Sequence, residues 1–213
     1  DKDGNLIAWD AARAGADMSP DTFRSMLPAL YSWMGDGMIE GVANLSEWYF
    51  EKFATDESST EGLFEDYDHP NTRVTHMTVD HELPMTFWRS VGHSYTAFAK
   101  ESMIDEMAEA AGMDEVAFRL QNTQNTPRLN NVIRVAGEHM AKMNPPEGHH
   151  LGFAAHHSFY TDVAEIAEVS VENGKIRVHK VTCVLDCGQA VNPDIVRSQI
   201  EGGVIYGLTA TLY

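Results

Sequence analysis

The chain has 213 residues, 43% of them hydrophobic and 22% charged, a balance ordinary for a globular protein of one large domain or two small ones. Asp and Glu number 32 against 15 Lys and Arg, for a formal net charge of −17. Such a surface repels phosphate backbones and excludes nucleic acid as a natural partner. No apolar run is long enough to span a membrane.

The first ten residues, DKDGNLIAWD, open with an Asp3-Gly4 turn followed by strand-like Leu6, Ile7, Ala8 and Trp9. No strand precedes that turn, so the start reads as half a hairpin. Residues 19–52 mix Met, Trp and Gly with weak helical spacing and resist assignment. Residues 54–70 are acidic and carry Ser, Thr, Gly and Pro, the composition of a surface loop. Residues 75–84, THMTVDHELP, alternate as a strand that Pro84 stops.

From Ser94 to Ala111, Tyr95, Phe98, Ala99, Met103, Met107 and Ala110 advance mostly by three and four, which predicts a helix with that face buried and Gly112 closing it. Asp114 is placed to cap a short helix carrying Val116, Phe118 and Leu120. Thr126-Pro127 starts another helix, in which Leu129, Val132, Ile133, Ala136 and Met140 face one way. Residues 163–186 read as strand, Asn173-Gly174 turn, strand, because Asn-Gly supplies the positive φ angles of a tight hairpin turn. The last segment is a helix that Asn192 caps and Pro193 begins, with no stop signal before Tyr213. Helices mixed with antiparallel strands argue an α+β fold, antiparallel hairpins packed with helices, read as one domain over residues 1–213. Both ends read as cuts through continuing structure.

Four features carry chemistry. His149-His150 and His156-His157 are adjacent pairs, and neighbours on a strand point to opposite faces, so they make a poor two-ligand clamp and read as exposed loop histidines. No HExxH helix or Cys/His zinc spacing is present, and no metal ligand is assigned. Cys183 and Cys187 lie about 13 Å apart on an extended segment, too far for a disulfide, and read as small buried hydrophobes. Gly202, Gly203 and Gly207 crowd one helix at about 1 kcal/mol each relative to Ala, so another helix or a ligand is expected close to that backbone.

The fourth feature is FWRSVGHS, residues 87–94, at the start of a helix. The amides of Gly92, His93 and Ser94 are placed to receive an anion at the positive end of the helix dipole. Gly92 would let a ligand approach, and Arg89 would add a forked charge. The structural alternative makes Trp88 core, pairs Arg89 with a surface carboxylate and leaves Ser94 as a cap. Residue chemistry alone proposes an anionic ligand and no reaction.

Two blocks, WRSVGHSYTAFAKESMIDEMAEAAGMDEVAFRL and DVAEIAEVSVENGKIRVHKVTCVLDCGQAVNPDIVRSQIEGGVIYGL, resemble molybdenum hydroxylases of the xanthine dehydrogenase and aldehyde oxidase family. The likeness is to the molybdopterin-binding large subunit of the isoquinoline 1-oxidoreductase type, D-x-G-x-x-x-N-P followed by Q-[IV]-E-G being the more specific pattern. The resemblance implies a molybdopterin cofactor, often the cytosine dinucleotide, and hydroxylation of an aldehyde or an N-heteroaromatic small molecule with oxygen from water. It implies a [2Fe-2S] partner subunit and, in this subgroup, often a c-type cytochrome, with relatives commonly exported by a twin-arginine leader to the periplasm. It carries cofactor contacts to Arg89, Gly92 and Gln199.

The chain also departs from the family. Val91 stands where purine-oxidising members have a stacking aromatic, the G-Q-G loop is absent, and the catalytic glutamate's G-E-P motif is not within the sequence. Glu201 belongs to Q-x-E-G and does not replace that base, so no catalytic residue is assigned. The expectation is a piece of the large polypeptide, inactive alone and holding little or no cofactor. Two other classes are a non-catalytic folding or interaction domain whose acidic face docks an electron-transfer partner, and a histidine-bound metal protein.

Overall fold

The structure is a computed structural model that describes all residues except 65, 80–82 and 84. In chain order its elements are β1 (Trp9–Gly15), α1 (Ser19–Leu30), α2 (Asp36–Lys52), β2 (Thr72–Thr78), α3 (His93–Ala111), α4 (Glu115–Gln121), α5 (Pro127–Met140), β3 (His149–Ser158), β4 (Thr161–Glu172), β5 (Lys175–Asp186) and α6 (Pro193–Leu212), with a 3₁₀ turn at Glu57–Ser59. The fold is α+β. Two compact units divide it: residues 1–7, 66–70 and 101–213 form the first, and residues 8–65 and 71–100 the second.

The first unit is built on an antiparallel sheet in the order β3-β4-β5. Asn173 and Gly174 take φ of 53° and 74°, so the β4–β5 hairpin turns as its sequence predicts. The β3–β4 hairpin, which spacing did not reveal, turns through Phe159 and Tyr160 at φ of 46° and 62°. One sheet face presents Phe153, Ala155, Ala164 and Ile166 to Leu129, Val132, Ile133 and Ala136 of α5. These α5 residues are the expected stripe, and each large apolar side chain buried there contributes about 1.5–3 kcal/mol. Asp114 caps α4 as expected, its Oδ1 accepting from the amides of Val116 (3.0 Å) and Ala117 (2.9 Å).

Beside this core lies a buried charge network. The Arg119 Nε donates to Glu101 Oε2 at 3.0 Å, and its Nη1 meets Asp105 Oδ1 at 2.7 Å. The second Glu101 oxygen accepts from the Tyr67 hydroxyl at 2.8 Å. Burial alone would lower the Arg119 proton affinity; the Tyr67 oxygen and the Glu101 and Asp105 carboxylates outweigh it and raise it. Burial likewise pushes the Tyr67 phenol well above its usual range, so it stays a donor.

This network decides which side of α3 is buried. Thr96, Lys100, Glu101, Ile104 and Ala108 are buried, whereas Phe98 is 76% exposed and Tyr95 and Met103 are exposed too. The apolar face expected to pack is therefore the outer one. Apolar periodicity misassigned the helix because a paired carboxylate occupies the inward row.

In the second unit β1 and β2 pair in parallel, Trp9 opposite Thr72 through Gly15 opposite Thr78. The expected opening hairpin is thus replaced: only Trp9 of the strand-like run enters β1, and the connection is a crossover, as parallel pairing requires. The turn at Gly4 is present, with φ of 78°. The strand expected over 75–84 begins earlier, at Thr72, while Pro84 and residues 80–82 lie outside the described residues.

Segment 54–70 is not simply a surface loop, since Asp56, Ser59, Thr60, Leu63, Asp66 and Tyr67 are all buried. Within the second unit, Asp56 explains this. Its Oδ2 accepts from the amides of Met18 and Ser19, both at 2.9 Å, and so caps α1, which has no cap of its own. Its Oδ1 accepts from the Ser58 amide at 3.2 Å. An acidic residue was recruited inward to satisfy orphan helix donors.

Candidate functional site

Arg89 and Gly92 sit in one turn, residues 89–92, that feeds α3 in the second unit. Its geometry is set by the Val91 amide donating to Trp88 O at 3.1 Å, with Val91 itself at φ of 51°. A β-branched residue in the left-handed region is strained by roughly 1–2 kcal/mol. Behind the turn, the Thr96 hydroxyl donates to Glu61 O at 2.6 Å and the Tyr95 hydroxyl to Ser59 O at 2.8 Å. The 3₁₀ segment is thereby pinned under the start of the helix.

Gly92 is buried, and a Cβ on it would come within 2.4 Å of the Ser58 carbonyl oxygen. Close packing of backbone on backbone therefore requires glycine here, on the side where ligand access was expected. The Ser94 amide is also engaged, donating to Val91 O at 3.4 Å. Trp88 is 63% exposed and is not core. Arg89 lies on the exposed side of the same turn.

Gln199 lies on α6 in the first unit. Asn192 caps this helix, accepting at Oδ1 from the amides of Asp194 (3.1 Å) and Ile195 (3.2 Å), and Pro193 follows. The row Val196, Ile200 and Val204 faces β5 across a cleft of about 820 Å³ that Cys183 and Leu185 also line. At 100° per residue Gln199 lies about 60° from Val196 and about 100° from Ile200, on the flank of α6 outside the cleft lining, and is exposed. Among the described residues, nothing beyond the adjoining residues and backbone of α6 itself comes within 4 Å of where a Cβ on Gly203 or Gly207 would stand. Glu201 lines the cleft, on the other side of the helix from Gln199.

The histidines expected in loops are instead on β3. His149 stacks on His179 at 3.9 Å between centroids and pairs with Glu168 at 2.6 Å, while His157 pairs with Asp162 at 2.9 Å. Strand alternation and carboxylate partners hold them in place. Among the described residues no cluster of three or more His, Cys, Asp or Glu is arranged to hold a metal ion. Both cysteines are free. Burial, then the neighbouring Glu165 carboxylate, pushes the Cys183 thiol up to about 12, which keeps it protonated and unreactive at neutral pH.

Sequence reasoning missed Asp186 as an organising group, although it opens the D-x-G pattern. It accepts from Arg128 Nη2 at 2.9 Å and from the Gly188 amide at 2.8 Å. The Arg128 hydrogen bond, then that amide, holds its carboxyl below the usual range. Gly188 turns the chain toward α6 at φ of 71°.

Residues 85–213 match the family model described as "Molybdopterin cofactor-binding domain", and residues 46–123 match a second model of the same description. The chain belongs to this family, the cofactor-binding domains of molybdenum hydroxylases. It is 31% identical over 178 residues to the β subunit of isoquinoline 1-oxidoreductase from Brevundimonas diminuta, a match covering 80% of this chain and 23% of that protein. It is 30% identical over 166 residues to a nicotinate dehydrogenase subunit of Pseudomonas putida, covering 68% and 14% respectively. The chain thus spans less than a quarter of the length of these relatives. The aldehyde oxidoreductase of Desulfovibrio gigas aligns with a TM-score of 0.43 at 18% identity, over 84% of this chain and 19% of that structure.

Proposed function

We propose that this chain supplies cofactor-facing segments to a molybdenum-dependent oxidoreductase that hydroxylates an aldehyde or N-heteroaromatic substrate with oxygen from water. The observation that carries this reading is the family match across residues 85–213, which contains Arg89, Gly92 and Gln199. Each unit offers groups suited to an anionic, hydrogen-bonding cofactor such as molybdopterin, for which we propose the cytosine dinucleotide form: an exposed Arg89 in the second unit, and in the first an exposed Gln199 with a bare glycine surface beside it. When bound, the cofactor supplies Lewis acidity and the two-electron redox chemistry.

In this reading Arg89 offsets negative charge on the cofactor, and the Gln199 carboxamide fixes its orientation by donating and accepting hydrogen bonds. Gly92 acts through the backbone: tight packing on Ser58 holds the Arg89 turn in position. The base that takes a proton belongs to another part of the parent polypeptide, a role contributing roughly 10²–10⁴-fold in rate. Glu201, as the glutamate of Q-x-E-G, is not given that role in this reading. A [2Fe-2S] partner protein, and a c-type cytochrome beyond it, would receive the electrons.

Arg89→Ala in the complete large polypeptide tests the reading, with molybdenum content measured by elemental analysis. Loss of metal from a folded protein is expected. Unchanged molybdenum would favour instead a non-catalytic interaction domain, the reading that the acidic surface and the inward-packed Gly92 support. The 213-residue chain alone is expected to show no turnover and little cofactor binding; substrate oxidation by the purified, metal-loaded chain would overturn that.

A further inference from the structure

In the second unit the β1–β2 ladder sets a cation beside a histidine, Arg13 being the register partner of His76. The His76 side chain is 2% exposed and lies between two charges. On one side its Nε2 is 2.9 Å from Asp17 Oδ1, and the second oxygen of this buried carboxylate accepts from the Thr78 hydroxyl at 3.0 Å. On the other side Arg13 Nη1 is 3.2 Å from Nδ1. Both terminal nitrogens of Arg13 also donate to Ala16 O at 3.2 Å. Gly15 makes room for the guanidinium, since a Cβ there would stand 2.9 Å from Nη2.

Donor and acceptor chemistry fixes the proton. Arginine only donates, and an ionised carboxylate only accepts. The arrangement therefore needs hydrogen on Nε2 toward Asp17 and a bare Nδ1 toward Arg13, a neutral imidazole bridging an anion and a cation. A proton added at Nδ1 would set two cations 3.2 Å apart in a buried place. Asp17 keeps hold of the ring, and His76 is fixed on a strand. The group that gives way is the guanidinium, at the end of a flexible stem.

Arg13 also reaches the start of α3. Its guanidinium lies over the Tyr95 ring, 5.2 Å from the centroid. Tyr95 belongs to the first turn of that helix, its amide donating to Gly92 O at 3.3 Å, and the Ser94 hydroxyl beside it meets the Ser90 hydroxyl at 2.7 Å. We infer that His76 is a pH-sensitive latch on the turn that carries Arg89. It is closed while Nδ1 is bare and released through Arg13 and Tyr95 when Nδ1 takes a proton. Among the described residues, the other titratable groups facing this cluster are Asp56 and Glu61, near Tyr95, and His93, 3.9 Å from Glu61. Where Arg89 meets a cofactor as proposed above, that contact becomes pH-dependent. The latch itself is read on the turn, so Arg89→Ala can refute the cofactor reading and leave the latch standing.

The tautomer is measured first, by nitrogen NMR of the wild-type 213-residue chain at about pH 8. Hydrogen on Nε2 and a bare Nδ1 at His76 are expected; the reverse, or a doubly protonated ring, overturns the proposal. Hydrogen exchange of residues 89–96 is then compared at about pH 8 and about pH 5, corrected for intrinsic rates. Opening of that segment should rise about two- to fivefold on acidification, the change that loss of one cation–π contact gives. His76→Gln, whose amide accepts from Arg13 and donates to Asp17 but does not titrate, should abolish the rise, and His93→Gln should keep it. A rise that survives His76→Gln or vanishes in His93→Gln overturns the latch, and so does a wild type without a rise. If His76→Gln does not fold, the wild-type tautomer and exchange still decide.

Discussion

Glu101 and Arg119 face each other at 3.0 Å with side chains 7% and 0% exposed. Glu101 Oε2 also accepts from the Ala155 amide at 2.8 Å, tying α3 to β3. Removing the cation strands a carboxylate out of water. Arg119→Met should therefore lower stability by about 3–5 kcal/mol, read from the shift in urea midpoint. Adding Glu101→Gln should restore part of the loss, because the two positions form one network.

Gly92 makes a prediction about the protein without any ligand. Its missing Cβ leaves room for the Ser58 carbonyl, a backbone atom that cannot swing aside. Gly92→Ala should destabilise the metal-free chain by about 1–3 kcal/mol in thermal unfolding. An unchanged melting curve would mean that glycine is needed only toward a ligand.

The β3–β4 turn holds two aromatic residues in a conformation that glycine or asparagine adopts more readily. Tyr160 is 86% exposed and gains little by packing. Tyr160→Gly should raise stability by about 1 kcal/mol as the left-handed strain is relieved, measured by denaturant titration.

The Cys183 thiol has a sign that can be worked out. Its folded pKa, about 12, lies above the ordinary thiol value of 9.0, so the folded state holds the proton more tightly. Its stabilising contribution is fully present below pH 9 and is lost as pH rises toward 12. Cys183→Ser should flatten that alkaline decline. Alkylation of Cys183 at about pH 8 should be markedly slower in the folded chain than in urea, measured by peptide mass analysis.

Local signals were legible where a residue's own chemistry decides the conformation. Asn173-Gly174, Asp114, Asn192-Pro193 and the α5 stripe all act within a few residues, and each stands as its sequence predicts. Distant partners were not legible. The buried row of α3 depends on Arg119, and Asp56 caps a helix beginning 37 residues earlier in the chain. Helices α1 and α2 were blurred because exposed and buried apolar stripes overlap on α2, flattening the periodicity that spacing relies on. The Arg89–Gly92 turn was found from composition and dipeptide order, whereas Asp186 was passed over because its partner, Arg128, is 58 residues away.

The parallel pairing of β1 with β2 has a kinetic consequence. Asp10 and Arg73, opposite each other in the ladder, are separated by 63 positions, and no short turn can bring them together. The α1–α2 pair and the Asp56 cap lie within that span and close over shorter loops, so they can assemble first and shorten the entropic search. The ladder should be the last piece to lock, and refolding followed at Trp9 should lag behind the gain of helical signal.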